Sequence, residues 1–384
     1  MKLSALYKEF FNSEKAGGLV LLAATILSLI LANSGMKDSY QTFLHYPIAG
    51  NTFIHWINDG LMAIFFLLIG LELEREVYDG ELSSLQNALL PLAGALGGMI
   101  VPAGLFLIFN YGTATQRGAG IPMATDIAFA LGILSLLGNK VPASLKIFLT
   151  ALAVIDDLGA IIIIAIFYTN TIAWVYLIIA LCIWAALFLL NRLRVNNLIP
   201  YVIGGIALWY CMLQSGVHAT IAGVILAFVI PFGKGGKKSP SYIVQHFLHK
   251  PIAFIILPLF ALANTAITIG PNVQEIFYKS YSIGIMLSLV IGKGLGIFLF
   301  CMMAIAAGIC TLPAELKKVH ILGAAFLGGI GFTMAIFITM LAFDDAEIIN
   351  NAKLVILISS FIAGLIGFLI LKKWLKNEVK EEEE

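Results

Sequence analysis

Residues 147–168 read IFLTALAVIDDLGAIIIIAIFY, and two adjacent aspartates, Asp156 and Asp157, stand in the middle of that apolar run. The run is long enough to cross about 30 Å of hydrocarbon as a helix. An ionisable side chain at that depth costs a few kcal/mol or more, so carboxylates there point to function before they point to architecture. Neighbours on a helix project about 100° apart, so the two aspartates cannot share one stripe. One can pair with a buried cation while the other faces water.

Apolar runs of the same kind can be drawn on both sides, at roughly 12–32, 52–74, 88–110, 119–138, 143–168, 172–191, 198–213, 217–232, 252–269, 282–307, 319–343 and 351–371. They predict an all-α polytopic membrane protein with twelve transmembrane helices. The two runs around Trp209 and Val224 are the ambiguous ones, close to the lower limit of about 17 residues for a span. Composition agrees with this class: 60% of the 384 residues are apolar and 12% charged, against about 45–50% and about 25% in soluble domains. A net charge of +1 and the lack of Lys and Arg interleaved with aromatics leave no face for nucleic acid. No Gly-x-x-x-x-Gly-Lys-[Ser/Thr] element is present, so ion gradients rather than ATP are the expected energy source, with no enzymatic step and no cofactor. Cys182, Cys211, Cys301 and Cys310 have no Cys-x-x-Cys spacing and read as small buried hydrophobes.

Loop charge fixes orientation, because Lys and Arg gather on the cytoplasmic side. With twelve spans, the N-terminus, even-numbered loops and C-terminus together hold eighteen basic residues, and the opposite set holds four, Lys37, Arg117, Lys279 and Lys353. Both termini are therefore expected in the cytoplasm, in a bacterial inner membrane. No cleaved signal is expected. Leu3, Leu6, Tyr7, Phe10 and Phe11 fall at helical spacing and suit an interfacial helix at about 3–11. A single transporter domain is expected over 1–374, with 375–384 a charged cytoplasmic tail.

Of the 23 basic residues, Lys293 is the one placed near the centre of an apolar helix, and it needs a partner. Inside the spans stand Asp126, Asp156 and Asp157. Two carboxylates opposite one lysine leave a surplus negative charge, which favours a cation site. A structural salt bridge plus one satisfied polar group is the plainer alternative. In GIPMATDIAFA, Pro122, Ala124 and Ala128 around Thr125 and Asp126 invite a helix break, and a break at mid-membrane exposes dipole ends that bind ions or charged side chains. Asp126 either neutralises facing helix ends or touches the ion. FLGGIGFTMAIF, with Gly328, Gly329 and Gly331 ahead of Thr333, suggests a matching break, although small-residue packing also explains such glycines. The breaks fall in the middle helix of spans 3–5 and of spans 10–12, one unit reversed relative to the other, as inverted-topology repeats require.

The segments WINDGLMAIFFLLIGLELERE, ATDIAFALG, ALAVIDDLGAIIIIAIFY, SGVHATIAG, LPLFALANT, IGKGLGI and GIGFTMAIFI resemble, in order and spacing, those of the bacterial NhaA sodium/proton antiporters over nearly the whole chain. NhaA is itself a reference case of inverted-topology repeats. The resemblance implies Na⁺ or Li⁺ exchanged for H⁺, with pH and sodium homeostasis as the role. It implies Asp157 as principal cation ligand, Asp156 as its partner and the acceptor for Lys293, and Thr125 with Asp126 at the crossing. His218 is implied in the pH response. Independently of the resemblance, the cytoplasmic cluster of Glu72, Glu74, Arg75, Glu76, His246 and His249 could gate a conformational change, since histidines titrate in the right range, although charged loop clusters are more often merely solvated.

Three departures stand out. Gly294 follows Lys293 where the family carries proline, and Gln245 stands where an acidic residue is associated with pH sensing. Only IAGNTFIH separates Pro47 from Trp56, where the family often has a β-hairpin used in dimer contact. A homodimer is thus left open, and the expected partners are Na⁺, Li⁺, H⁺ and membrane lipids. Two rivals remain on the residues alone. An intramembrane aspartyl protease would need its aspartates on facing helices with a Gly-x-Gly-Asp element, which this sequence lacks. A sodium-coupled symporter would differ in requiring an organic solute.

Overall fold

The computed structural model describes residues 14–169, 172–233 and 235–381, so the interfacial helix expected at about 3–11 lies outside the described residues. Helix α1 is Glu14–Ala32 and the short α2 is Lys37–Leu44. Then follow α3 (Phe53–Tyr78), α4 (Leu85–Asn110), a tight turn of helix over Gln116–Met123, and α5 (Ile127–Ser135). Helices α6 (Ala143–Phe167), α7 (Trp174–Arg192), α8 (Ile199–Ser215) and α9 (Ile221–Ala227) form the middle of the chain. The rest is α10 (Pro240–Asn264), α11 (Ser280–Ala306), α12 (Lys318–Gly328), α13 (Phe332–Ala342) and α14 (Ala346–Glu381).

Among the described residues, nine helices are long and apolar enough to cross a membrane, and the pair α12–α13, bent by 45°, makes a tenth if taken as one span. The two runs that were ambiguous in the sequence hold α8 and α9, of 17 and 7 residues. At 1.5 Å per residue α8 is only about 25 Å long, short of a full hydrocarbon core. Helix α7 buries just Ala180 and Leu187, and such an all-round apolar helix facing outward belongs in lipid. Cys182 on this helix is exposed, whereas Cys211, Cys301 and Cys310 are buried as expected. The backbone of α14 continues as helix to Glu381, so the tail expected from 375 begins as an extension of the last span.

The short connection before α3 does form a hairpin. β1 (Pro47–Ile48) pairs antiparallel with β2 (Asn51–Thr52), Pro47 opposite Thr52 and Ile48 opposite Asn51. Ala49 and Gly50 turn the chain at φ 49° and 89°, the left-handed pair that a two-residue type I′ turn requires. Two residues a side suffice, which the length of the segment had concealed. Below it, the Tyr40 hydroxyl donates to the Leu262 carbonyl at 2.6 Å and ties α2 to α10. Burial holds this phenol above its ordinary range, only partly offset by a hydrogen bond with Ser28, so it remains a donor at alkaline pH.

Small residues let the helices meet backbone to backbone, the usual route to packing where both helix and solvent are apolar. A Cβ on Gly97 of α4 would run into the Gly296 carbonyl of α11, and one on Gly223 of α9 into the Ala63 carbonyl of α3. Three stretches adopt the wider π turn: Trp56–Leu61, Ile252–Ile256 and Ser288–Gly292. The third ends immediately before Lys293, and such turns rotate whatever follows them.

Candidate functional site

Helices α4–α6 and α11–α14 form two three-span units, each with an interrupted middle member. In the first, helix stops at Met123 and resumes at Ile127; in the second it stops at Gly328 and resumes at Phe332. The two gaps cross. The Asp126 amide donates to the Ile330 carbonyl at 2.7 Å, and the Thr125 hydroxyl lies 2.9 Å from the Gly328 carbonyl. Backbone groups freed by interrupting each helix are thus satisfied by the other, the condition for irregular backbone at membrane depth.

Asp126 engages both halves. Its Oδ1 accepts from the Phe129 amide at 3.0 Å, capping α5, while Oδ2 accepts from the Thr333 amide at 3.1 Å and the Thr333 hydroxyl at 2.5 Å, at the start of α13. Two helix N-termini with positive partial charge meet on one carboxylate. Of the two roles open to Asp126, this geometry favours neutralising the facing helix ends.

Asp156 and Asp157 are fully buried on α6 beside this crossing. Asp156 Oδ2 receives the Thr125 hydroxyl at 2.8 Å and the Lys293 ammonium at 3.1 Å. Lys293, itself fully buried on α11, also donates to the Met123 carbonyl at 2.5 Å. The lysine is therefore held by the carboxylate and by the carbonyl that ends the first broken helix. Asp156 Oδ1 and both oxygens of Asp157 have no hydrogen-bond partner among the described residues. Buried polar groups are almost always satisfied; these three carboxylate oxygens are not, and oxygen donors of this kind suit a hard cation or protons. Among the described residues no group of three or more His, Cys, Asp or Glu is placed to hold a metal ion.

Of the residues expected to respond to pH, those of α3 and α10 come together and His218 lies apart. Glu72 and His249 come together at 3.9 Å. His246 stacks on Tyr242, whose ring lies 4.6 Å beneath the Arg75 guanidinium. Glu74 is buried and accepts from the Ser241 hydroxyl at 3.2 Å, whereas Glu76 accepts the Glu81 amide. Gln245 Oε1 is buried without a partner among the described residues. His218 belongs elsewhere: its Nε2 lies 2.9 Å from the carbonyl of Tyr168, at the far end of α6.

Several chemical groups escaped the sequence reading. Asp59 stands within the long helix α3, which also carries Glu72 and Glu74 of the expected cluster, and pairs with His55 at 3.1 Å. Lys353, counted with an outer loop, sits inside α14. The Met123 carbonyl has no side-chain signal at all. A cavity of about 790 Å³ lies away from the carboxylates, between α3, α8, α9 and α10, and is apolar, with Trp56, Trp209 and Phe247 on its walls.

A helical bundle whose two repeated units cross at paired breaks, with a carboxylate pair and a lysine buried at the crossing, defines the class of secondary ion transporters. More narrowly, the chain belongs to the Na⁺/H⁺ antiporter 1 family, whose model matches residues 8–371. It is 67% identical over 381 residues to the Na⁺/H⁺ antiporter NhaA of Flavobacterium psychrophilum, covering 99% of each chain. It is 62% identical over 386 residues to that of Cytophaga hutchinsonii, covering 100% of each. Among solved structures, the sodium proton antiporter MjNhaP1 of Methanocaldococcus jannaschii matches with a TM-score of 0.52 and 16% identity, covering 94% of this chain and 90% of that one. At that identity the likeness speaks for the fold alone.

Proposed function

We propose that this chain is a secondary active antiporter that exchanges Na⁺ or Li⁺ for protons across a bacterial inner membrane, both termini cytoplasmic, in pH and sodium homeostasis. The observation that carries the reading is the set of three unpartnered carboxylate oxygens on Asp156 and Asp157, buried next to Lys293. Asp157 is the principal ligand and Asp156 its partner. With protons bound, the carboxylates are neutral; with Na⁺ bound, the ion offsets their charge. Either loaded site can change sides, while the empty charged site is held back by the cost of an uncompensated charge at membrane depth. Two fluxes are coupled by this rule without enzyme chemistry. Two protons leave for each Na⁺, one from Asp157 and one from the Asp156–Lys293 pair, which makes transport electrogenic. Relatives bearing the name Na⁺/H⁺ antiporter at 67% and 62% identity support the assignment. Lipid is the natural occupant of the apolar cavity, and any homodimer has only the two-residue hairpin to build on at that loop.

The test is reconstitution in liposomes loaded with a pH dye, with Na⁺, Li⁺ or K⁺ added under an imposed pH gradient. Alkalinisation of the lumen on adding Na⁺ or Li⁺ outside, but not K⁺, with no organic solute present, is the expected result. A pH response that appears only with an organic solute makes the protein a symporter instead.

A further inference from the structure

Helix α13 begins without a cap of its own. Its N-cap is Gly331, which has no side chain, and no side-chain hydrogen bond is made from that position. The first two amides of the helix are instead taken by residues from elsewhere. Thr333 donates to Asp126 of the other unit, and Phe332 donates to the Ser360 hydroxyl of α14 at 3.1 Å, a buried contact. Amides at a helix N-terminus have no partner inside the helix, and within a membrane protein's interior water does not substitute for one. Successive turns of α14 also touch the break: a Cβ on Gly329 would lie 3.2 Å from Ala363.

From this geometry we infer that Ser360 is a positioning residue of the exchange site, setting the start of α13 and, through Thr333, the place of Asp126 and of the neighbouring Thr125 that donates to Asp156. The inference rests on the proposed cation site at Asp156 and Asp157. Without the hydroxyl, the Phe332 amide loses the side-chain hydrogen bond that ties the start of α13 to α14. The start of α13 is then free to shift, and with it the hydrogen bonds from Thr333 to Asp126 and from the neighbouring Thr125 to Asp156. Residues that orient a ligand through one intermediary alter ion affinity more than they alter the passage of the loaded site.

Ser360→Thr and Ser360→Val are nearly isosteric and differ in the hydroxyl, so they separate this role from packing. Each is reconstituted beside wild type, and the apparent KM for Na⁺, the maximal rate per inserted protein and the melting temperature are measured. Ser360→Thr is expected to match wild type, and Ser360→Val to raise KM roughly tenfold while the maximal rate falls far less. Equal KM in the two variants, or a loss confined to maximal rate and melting temperature, overturns the inference and leaves Ser360 a structural brace. Ser360→Ala takes the place of Ser360→Val where the latter does not accumulate. Asp157→Asn is run alongside: if it still exchanges Na⁺, the site itself is wrong and the inference falls with it; if it is inactive while the Thr and Val variants agree, only Ser360 is misassigned.

Discussion

Each of the buried charges at the crossing has a different set of neighbours, and mutations should therefore part them. Asp157 has no hydrogen bond to lose among the described residues, so Asp157→Asn, which removes charge but little volume, is expected to abolish exchange while leaving the protein inserted and folded. Sodium-dependent proton flux in liposomes carrying this variant would remove Asp157 from the mechanism. Lys293 is the reverse case, since Asp156 and the Met123 carbonyl both depend on it. Breaking a buried pair by deleting one partner costs about 3–5 kcal/mol, so Lys293→Ala should melt earlier in detergent and exchange ions with an altered Na⁺:H⁺ ratio. Wild-type values of both would sink the pairing. These three residues were legible in the sequence because a charge in an apolar run has no cheap structural explanation. Ser360 and the Met123 carbonyl were not legible, because a serine or a backbone carbonyl in an apolar run looks the same whether or not a helix end points at it. Lys353 misled for the opposite reason: two turns from the start of a span, it reads equally well as a loop residue.

Helices in this protein are specified by long apolar runs, but where they touch is specified by glycine. The α4–α11 crossing is the tightest test, because Gly97 and Gly296 each sit against the other's carbonyl and Lys293 lies one turn from Gly296. Gly97→Ala must force the helices apart, at about 1–3 kcal/mol for overpacking, and should displace Lys293 as well as lower the melting temperature. Gly104 is on the same helix, and a Cβ added there would meet nothing within 4 Å. Gly104→Ala is therefore expected to be neutral or stabilising by about 0.5 kcal/mol. Thermal melts of both, with the apparent KM for Na⁺, check the contrast; equal effects would mean that the crossing is looser than its geometry. The two helix breaks were readable from Pro122 and from Gly328, Gly329 and Gly331, since these residues weaken a helix by known means. The hairpin at Pro47–Thr52 and the π turn before Lys293 were not, because a two-residue ladder and one inserted residue leave almost no periodic trace.

For the whole molecule the question is whether acid slows exchange through the cation site itself or through a separate gate at the cytoplasmic end. At the shared site proposed above, protons and Na⁺ compete for Asp156 and Asp157. The sign follows directly: as pH falls, more carboxylates are occupied by protons, and apparent Na⁺ affinity drops by up to about tenfold per pH unit for each proton displaced. A gate would act differently. Histidines change charge over the relevant range, but His249 stands 3.9 Å from Glu72, His246 is engaged with Tyr242, and Gln245 cannot titrate. His218 is at the other end of α6, bonded to a backbone carbonyl. These groups are divided among separate partners, so competition is expected to dominate. Exchange measured in liposomes at equal internal and external pH, with Na⁺ raised to saturation at each pH, decides the matter. Competition requires the Michaelis constant to climb while the maximal rate stays level from about pH 8.5 to about pH 6.5, because saturating Na⁺ displaces the protons that inhibit. A gate requires the reverse, a maximal rate that collapses in acid whatever the Na⁺ concentration, since no amount of ion at the crossing can reopen a path closed at Glu72 and His249. With an uncharged glutamine, Gln245, in the cluster between α3 and α10, the level maximal rate is the outcome that the arrangement of charges supports.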